Sequence, residues 1–242
     1  MGTSQASGPD TNKVCLVTGV GPGTGRALVE RFAAGGYTVA MLARKAERLS
    51  EIASAVENTH PYACDVTDTD ALAETIATIK ETHGAPTRVL HNAVGGAFGS
   101  FDEIDPAVLQ NNFNVNTMAL LHLARLVVDD MLAAGGGTIL ATGNTSAYRG
   151  KGNFAGFSPS KAAQRILIES IARSHGPKGI HAVFVAIDAV IDLPWTRKMN
   201  PDAPDDFFCR PADIADECFH VAHQARSTWS NELVIRPFGE NW

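Results

Sequence analysis

A glycine-rich turn joins an apolar run at residues 14–17 to a helical pattern that begins at Thr24. Glycine is used where φ is positive or where a Cβ would separate the backbone from a ligand. A strand, a glycine turn and a helix N-terminus direct backbone N–H groups and the positive end of a helix dipole at one point, which suits a pyrophosphate. A glycine turn without a ligand is the alternative, but its place after the first strand favours nucleotide binding. We assign this role to Gly19, Gly21, Gly23, Thr24 and Gly25.

Strand and helix patterns alternate along the rest of the chain, and no linker or repeat interrupts them. Such alternation predicts a parallel sheet with helices on both faces. We predict an α/β fold, a doubly wound seven-stranded parallel sheet of the Rossmann-like type, with residues 13–242 as a single domain and residues 1–12 as a disordered N-terminal tail. The predicted strands are residues 14–17, 37–43, 60–65, 87–92, 138–142, 179–187 and 232–236, and the predicted helices include residues 24–34, 46–57, 69–82, 159–175 and 211–225.

One long stretch, residues 192–209, follows neither pattern and contains prolines at 194, 201 and 204. Loops of this length in compact domains are usually lids or binding loops, so we expect an irregular segment beside the site. Aromatic residues here and elsewhere predict an apolar pocket, which indicates a hydrophobic carbonyl or imine as the substrate. The predicted pocket residues are Phe98, Tyr148, Phe154, Phe157, Trp195 and Phe208.

The composition argues against several classes of function. A net charge of −6 without any basic run disfavours nucleic acid and anionic membranes as partners. No apolar run is long enough to span a bilayer, and residues 1–12 lack the order of a signal peptide. The cysteines have no metal-binding spacing, and Cys15 and Cys64 fall in predicted strands, which indicates free buried thiols in a reducing compartment. We expect a cytoplasmic protein without a metal site.

Taken together, these segments make the chain resemble the short-chain dehydrogenase/reductase family from end to end. The segment from Thr18 to Gly25 is similar to that family's cofactor motif, and Asp65-Val66 is similar to its adenine contact. Asn92-Ala93 matches its Asn-Asn-Ala-Gly turn except at the two outer positions. The segment that ends at Asn116 matches the stretch whose second Asn orders a proton-relay water. The resemblance implies a Rossmann-like fold and nicotinamide chemistry, with cofactor contacts at Asp65, Val66, Asn92, Ala93, Lys161 and Ile191.

The proton-transfer residues of that family are not all present. Its members usually carry a Ser and, thirteen positions later, the Tyr of a Tyr-x-x-x-Lys motif. Here Lys161 is present, but Phe157 stands four positions before it and Asn144 stands thirteen positions before Phe157. The enoyl-reductase branch has its Tyr seven positions before the Lys, where this chain has Phe154. Phenylalanine has no proton to exchange, and the loss of a general acid–base costs about 10²–10⁴ in rate.

The chain also resembles, more loosely, a branch of the family whose members have Phe at the Tyr position. The shared segments are residues 176–181, 187–192 and 236–238. The Pro-Gly pair that usually ends the sixth strand is also absent. Because these departures occur together, we interpret Phe157 as a natural feature of the site.

Few residues are candidates for a replacement acid. Tyr148 follows Asn144 by four positions on the same loop; it is either the proton donor or an aromatic packed at the pocket wall or a subunit contact. Asn144 can hydrogen-bond a substrate carbonyl, but its amide does not titrate. His91 is a possible base, although a structural histidine is the simpler interpretation. Lys161 keeps a function without the Tyr, because its ammonium can bind the nicotinamide ribose hydroxyls. The predicted catalytic set is Asn116, Asn144, Tyr148 and Lys161.

The choice of cofactor depends on the end of the second strand. In the family an acidic residue there binds the adenosine ribose and selects NAD, whereas this chain has Arg44 and Lys45. Two cations suit a 2′-phosphate, and no carboxylate repels it. We therefore expect NADP(H), with NAD(H) as the weaker alternative. An ordinary pair of charges before a helix is the other explanation of these residues.

We expect the protein to assemble into a homodimer or homotetramer. The apolar stripe over residues 120–131 and the apolar face over residues 166–171 exceed what covering one sheet face requires. The family pairs these two helices across a two-fold axis, and contacts of that symmetry are the commonest. Full burial inside the monomer is the alternative explanation. The terminal Trp242 favours docking of the chain end.

The resulting functional hypothesis is an NADP(H)-dependent oxidoreductase of the short-chain type that acts on a small hydrophobic carbonyl, alcohol or imine through a non-standard proton-transfer site. Two alternatives remain from other classes, a cofactor-binding protein without catalysis and a non-redox lyase on the same scaffold. The fold alone does not separate them. NADPH fluorescence on mixing with the protein does, because each hypothesis predicts a different combination of binding and turnover.

Overall fold

In a computed structural model, residues 13–239 are described, so the predicted tail at residues 1–12 and the predicted docking of Trp242 lie outside the described residues. A seven-stranded parallel sheet runs through the molecule in the order β3-β2-β1-β4-β5-β6-β9. This confirms the predicted doubly wound sheet. The strands are β1 Val14–Thr18, β2 Thr38–Ala43, β3 Thr59–Ala63, β4 Arg88–His91, β5 Gly137–Gly143, β6 Ile180–Ile187, β7 Val190–Ile191, β8 Phe208–Cys209 and β9 Glu232–Ile235.

Helices cover both faces of this sheet. On one face α3, α5 and α6 bury side chains such as Leu72, Leu120 and Ile168 in one apolar cluster. On the other face α1, α2 and α8 form a second cluster around Phe32 and Ile214. The helices are α1 Thr24–Ala34, α2 Ala46–Ala55, α3 Thr69–His83, α4 Pro106–Phe113, α5 Ala119–Ala133, α6 Ser158–His175, α7 Pro194–Met199 and α8 Pro211–Ala222.

Local sequence explains where several elements begin. All residues of β1 are buried, as the continuous apolar run predicts for a central strand. Asp68 caps α3 as expected, since its side chain accepts a hydrogen bond from the N–H of Ala71 at 3.0 Å. The carboxylate of Asp105 caps α4 in the same way, and Pro106 occupies the first turn.

The apolar stripe of α5 is accounted for within the monomer. Leu120, Leu123, Val127 and Met131 are each at most 1% exposed, because this helix packs across the sheet. The stripe therefore gives no support to self-association, in contrast to our argument from sequence. On α6, Ile166 remains 52% exposed.

The segment over residues 192–209 is more ordered than predicted. It contains α7, and its end forms β8, which pairs with β7. Pro194, one of the three prolines in this segment, stands in the first turn of α7, where proline is well tolerated. The buried Thr196 hydroxyl donates to the carbonyls of Ile191 at 2.6 Å and Leu193 at 2.8 Å, which fixes the helix to β7.

The sheet order also locates the place where a ligand can bind. The chain turns from β3 at one edge back to β4 in the middle, so the crossovers leave β1 and β4 in opposite directions. Parallel sheets bind ligands in the crevice at such a switch point, outside the carboxyl ends of the strands. In the part of the chain that the structure describes, no helix combines the length and the apolar character needed to cross a membrane.

Candidate active site

A cleft of about 1010 Å³ lies at this switch point, at the carboxyl ends of β1, β2, β3 and β4. It brings together residues that are up to 174 positions apart in sequence. Arg48, Thr67, Asn111, Asn112 and Leu193 also line it, and sequence reasoning missed them. Every predicted cofactor residue except Lys161 lines this cleft, namely Gly19, Gly21, Gly23, Thr24, Gly25, Arg44, Lys45, Asp65, Val66, Asn92, Ala93 and Ile191.

Glycine is present at the positions of this turn for different physical reasons. Gly19 has a φ of 70°, and a Cβ on it would stand 2.4 Å from the backbone of Ala93, so β1 and β4 approach too closely for a side chain. A Cβ on Gly25 would stand 2.5 Å from the carbonyl oxygen of Gly19. Around Gly21, in contrast, no heavy atom of the described residues other than its chain neighbours lies within 4 Å of the Cβ position. Two of these glycines therefore shape the turn, and Gly21 leaves open space beside the cleft.

Asn92 holds the turn from the end of β4. Its amide nitrogen donates to the carbonyl of Gly19 at 2.9 Å, and its amide oxygen accepts from the Thr142 hydroxyl at 2.9 Å. Both halves of the amide are thus engaged between β1 and β5. This arrangement fixes the glycine turn relative to the end of β5.

The N-terminus of α1 fits a phosphate group. No side chain caps this helix, so its first N–H groups are available at the cleft. The buried Thr24 hydroxyl has no hydrogen-bond partner among the described residues. A buried hydroxyl without a partner is costly, and a phosphate oxygen at the open space beside Gly21 would satisfy it. The residues present therefore fit the pyrophosphate of a dinucleotide.

The far end of the cleft carries one carboxylate and three cations. Thr67 donates to Asp65 through its N–H at 3.0 Å and its hydroxyl at 2.8 Å. Burial acts to raise the pKa of Asp65, but these hydrogen bonds and the charge of Arg44 lower it overall. Arg48 lines the cleft with Arg44 and Lys45. The four-residue spacing from Arg44 to Arg48, at the start of α2, was the sequence signal for this third cation.

His91 is a structural residue rather than a base. The ring is buried between the Thr18 hydroxyl, 3.0 Å from Nδ1, and the Val115 carbonyl, 3.0 Å from Nε2. Burial, and secondarily the charge of Lys161, lower the pKa of His91 to about 4. A neutral ring then donates from Nε2 to Val115 and accepts at Nδ1 from Thr18.

Lys161 is 2% exposed on the first turn of α6. Its Nζ donates to the carbonyl of Thr142 at 3.2 Å and to the side-chain oxygen of Gln164 at 2.9 Å. No carboxylate pairs with it within residues 13–239, and the Phe157 ring centroid lies 5.8 Å from Nζ. Burial lowers the pKa of Lys161 from 10.5 to about 7. Two protein acceptors leave one N–H of the ammonium for a ligand.

Asn116 connects the cleft loop to α6. It lies in a single π-helical turn, Asn114–Met118, and its amide bonds both the N–H and the carbonyl of Gly95. The same amide nitrogen donates to the Ser160 hydroxyl at 2.9 Å. The side chain is therefore fully engaged with protein groups. The expected role in ordering a water remains a prediction.

Asn144 stands at the end of β5, where the resemblance places a Ser. Its side-chain oxygen accepts from the N–H of Ser146 at 3.3 Å and from the Ser146 hydroxyl. The amide nitrogen is the part of Asn144 suited to bind a substrate oxygen. An amide nitrogen donates a hydrogen bond without giving up its proton.

Tyr148 does not have the surroundings of a proton donor. Its ring packs on Arg165, whose guanidinium lies 5.2 Å from the ring centroid. Burial first, and then Glu232, raise the pKa of Tyr148 well above its ordinary value. These surroundings make Tyr148 a poorer acid, and its role as the proton donor remains a prediction. The aromatic-packing alternative fits these contacts.

Three of the predicted pocket aromatics form one cluster beside the cleft. The ring centroids of Phe98 and Phe154 lie 5.2 Å apart, and those of Phe154 and Phe157 lie 6.4 Å apart. A Cβ on Gly96, which lines the cleft, would stand 3.1 Å from the Phe157 ring. The other predicted members lie elsewhere: Phe208 packs against Phe207 and Arg197, and Trp195 is 60% exposed on α7.

Comparison with known proteins agrees with this geometry. A family model for short chain dehydrogenases matches residues 13–202. The chain is 25% identical over 234 residues to the 7alpha-hydroxysteroid dehydrogenase of Escherichia coli (strain K12), covering 92% of this chain and 91% of that protein.

Two solved structures share the architecture. A metagenomic short-chain oxidoreductase in complex with NADP is 26% identical, with a TM-score of 0.80 over 93% of this chain and 97% of its own. An NADPH-bound short-chain oxidoreductase of Pseudomonas aeruginosa PAO1, described as containing an atypical catalytic center, is 20% identical and has the same fold, with a TM-score of 0.86 over 95% of this chain and 97% of its own. Because the family model covers most of its length, this chain belongs to the short-chain dehydrogenase family.

Proposed function

We propose that this protein binds NADP(H) in the cleft and catalyses hydride transfer with a small hydrophobic substrate. One observation carries the proposal: a glycine turn, a helix N-terminus with a buried unsatisfied Thr24 hydroxyl and a group of cations line a single cleft. A pyrophosphate fits the end with the glycine turn, and a 2′-phosphate fits the end with the cations. The metagenomic relative, which binds NADP, supports the same assignment.

We assign the individual roles as follows. The turn from Gly19 to Gly25 and the Thr24 hydroxyl hold the pyrophosphate, and Arg44, Lys45 and Arg48 hold the 2′-phosphate. Asp65 and Val66 contact the adenine, while Asn92, Ala93 and Ile191 position the nicotinamide half. The remaining N–H of Lys161 binds a ribose hydroxyl. The bound cofactor supplies the hydride, and the protein supplies position and electrostatics.

A second function is favoured by the same site, namely cofactor binding without turnover. Phe157 stands at the position of the family's catalytic Tyr, and Asn144 stands at the position of its Ser. We propose that this is a natural feature of an atypical branch.

The free state of all the cysteines in residues 13–239 supports a reducing, cytoplasmic location. We retain assembly into a homodimer or homotetramer as a proposal that depends on the exposed surface of α6.

Titration of the protein with NADPH and NADH, followed by cofactor fluorescence and calorimetry, tests the cofactor proposal. We expect tighter binding of NADPH, and Arg44→Ala should reduce its advantage about tenfold, since one charged hydrogen bond is worth about 1.5–3 kcal/mol. Arg173→Ala, at an exposed arginine of α6 away from the cleft, serves as the matched control. Equal affinities for the two cofactors in the unmutated protein would refute the assignment.

A further inference from the structure

We propose that the substrates of this site are iminium ions on an apolar, aromatic framework, which accept a hydride without any proton. This inference rests on the proposed NADP(H)-dependent hydride transfer and names its substrate class. It follows from the proton donors around Phe157 and Asn144, from the surroundings of Lys161 and from the aromatic cluster beside the cleft.

The two kinds of reduction differ in their need for a proton. When a hydride adds to the carbon of a ketone, the C=O electron pair moves to oxygen, and the resulting alkoxide must take a proton. When a hydride adds to the carbon of an iminium ion, the C=N electron pair moves to nitrogen and cancels its positive charge. The products are a neutral amine and the oxidised cofactor, so atoms and charge balance without an acid.

The hydroxyl groups near Asn144, Phe157 and Lys161 already donate to protein acceptors. The Ser160 hydroxyl donates to the carbonyl of Phe157 at 2.9 Å and accepts from Asn116. The other hydroxyls nearby also have acceptors, since Thr142 donates to Asn92, Thr145 to Asp188, Ser146 to Asn144 and Ser158 to the Arg149 carbonyl. A ketone reduced here would have to take its proton from one of these bonds or from the Lys161 ammonium, which already donates to Thr142 and Gln164. An iminium ion requires none of them.

Lys161 is the remaining acid, and its surroundings suit a cationic substrate. The ammonium is buried, lacks a carboxylate partner within the described chain and is bound by two neutral oxygens, those of Thr142 and Gln164. Burial lowers the pKa of Lys161 to about 7, so little free energy is needed to remove its proton when a second cation binds nearby. His91, the titratable group whose charge couples to Lys161, is neutral and adds no cation.

The aromatic cluster offers faces that attract cations. Two cationic side chains already lie within cation–π distance of these rings: Lys151 is 5.8 Å from the Phe154 centroid, and Lys161 is 5.8 Å from that of Phe157. Phe98 extends the cluster and is 76% exposed. A flat, apolar cation that extends from the cleft past Gly96 would contact these rings and gain cation–π stabilisation as well.

Turnover of a matched pair of probes tests the substrate class. We would follow NADPH oxidation with N-methyl-3,4-dihydroisoquinolinium, an iminium ion that has no exchangeable proton, and with α-tetralone, a ketone of the same size. The iminium should be reduced at least about 100-fold faster, because only the ketone needs a proton and neither Phe157 nor Asn144 can supply one. The ratio should move toward the ketone by about 100-fold in the double variant Asn144→Ser with Phe157→Tyr. The variant Phe101→Tyr, at a ring that is 85% exposed, is the control for an added phenol.

A binding measurement gives a second readout that does not depend on turnover. By calorimetry, the non-reducible N,N-dimethyl-1,2,3,4-tetrahydroisoquinolinium ion should bind more tightly than its uncharged carbon isostere. Phe154→Leu should weaken that binding about 2- to 30-fold, the range expected for one cation–π contact. Phe101→Leu should leave the affinity as it is.

The outcomes separate this inference from the proposed function. If NADPH binds but the ketone is reduced as fast as the iminium, or neither is reduced, the iminium proposal is overturned while the cofactor site stands. Equal binding of the cation and its uncharged isostere would also overturn it. If NADPH does not bind, the proposed function fails, and the substrate class fails with it.

Discussion

Replacing Lys161 by Met should change the pH dependence of folding in a calculable way. The side chain is buried and its pKa is lowered from 10.5 to about 7, because burial disfavours the charged form. This difference corresponds to about 5 kcal/mol between the charged and neutral forms in the native state. Below about pH 7 the lysine is charged in both states, and the native state bears the full cost. Above pH 10.5 it is neutral in both states, and the cost is absent.

Between these limits the unfolded chain binds more protons than the native chain, so the free energy of unfolding rises with pH. The slope for one such group is about 1.4 kcal/mol per pH unit. Relative to Lys161→Met, the unmutated protein should therefore gain about 2 kcal/mol between about pH 7 and pH 9. His91 has a pKa of about 4 and does not contribute over this range.

Urea denaturation of both proteins without cofactor, at fixed protein concentration and at several pH values in that range, measures the difference. Lys178→Met, which removes an exposed lysine after α6, is the control and should keep the pH profile of the parent. If the difference between the unmutated protein and Lys161→Met is flat with pH, then Lys161 is not a buried titrating group. The assignment of its surroundings would then be wrong.

Four further predictions follow from the site. Lys161→Ala should weaken NADPH binding by about ten- to a hundredfold, measured by calorimetry, because the bond to ribose is charge-assisted; equal affinities would contradict it. Gly19→Ala should lower the free energy of unfolding by at least about 1–3 kcal/mol through its positive φ, whereas Gly21→Ala should fold normally and lose NADPH affinity; denaturation and titration separate the two. Tyr148→Phe should retain turnover within about threefold, since burial and Glu232 raise the pKa of its hydroxyl and make it a poorer acid, and a loss approaching 10²-fold would identify Tyr148 as the proton donor. Light scattering at micromolar concentration should give a dimer or tetramer mass, and a monomer mass would refute the assembly.

The sequence alone was sufficient for the architecture and for the cofactor end of the cleft. Continuous apolar runs mark strands that are buried on both faces, and β1 is buried throughout, so the alternation of patterns determined the sheet. The glycine turn and Arg44 lie next to strand ends in sequence. In a parallel sheet these ends meet at one edge, so short-range patterns located a site that many loops share.

Other features depend on contacts that local patterns do not encode. Burial and then Glu232, which is 84 positions away on β9, raise the pKa of Tyr148, so no spacing rule on its own loop indicated these surroundings. Trp195 appeared to need burial because of its type, yet α7 carries it on an exposed face. The apolar stripe of α5 had two possible partners, the sheet or a second copy, and packing on the sheet decided it.

For Lys161 too, the sequence determined one part of the chemistry and the tertiary structure decided the other. The sequence determined that a lysine follows Phe157 by four positions, and therefore that the ammonium has no phenol beside it. Only the tertiary structure decided its environment, because Thr142 comes from β5 and the depth of burial comes from packing of α6 on the sheet. A charge removed from water by distant elements changes its pKa, whereas the sequence records only the residue type.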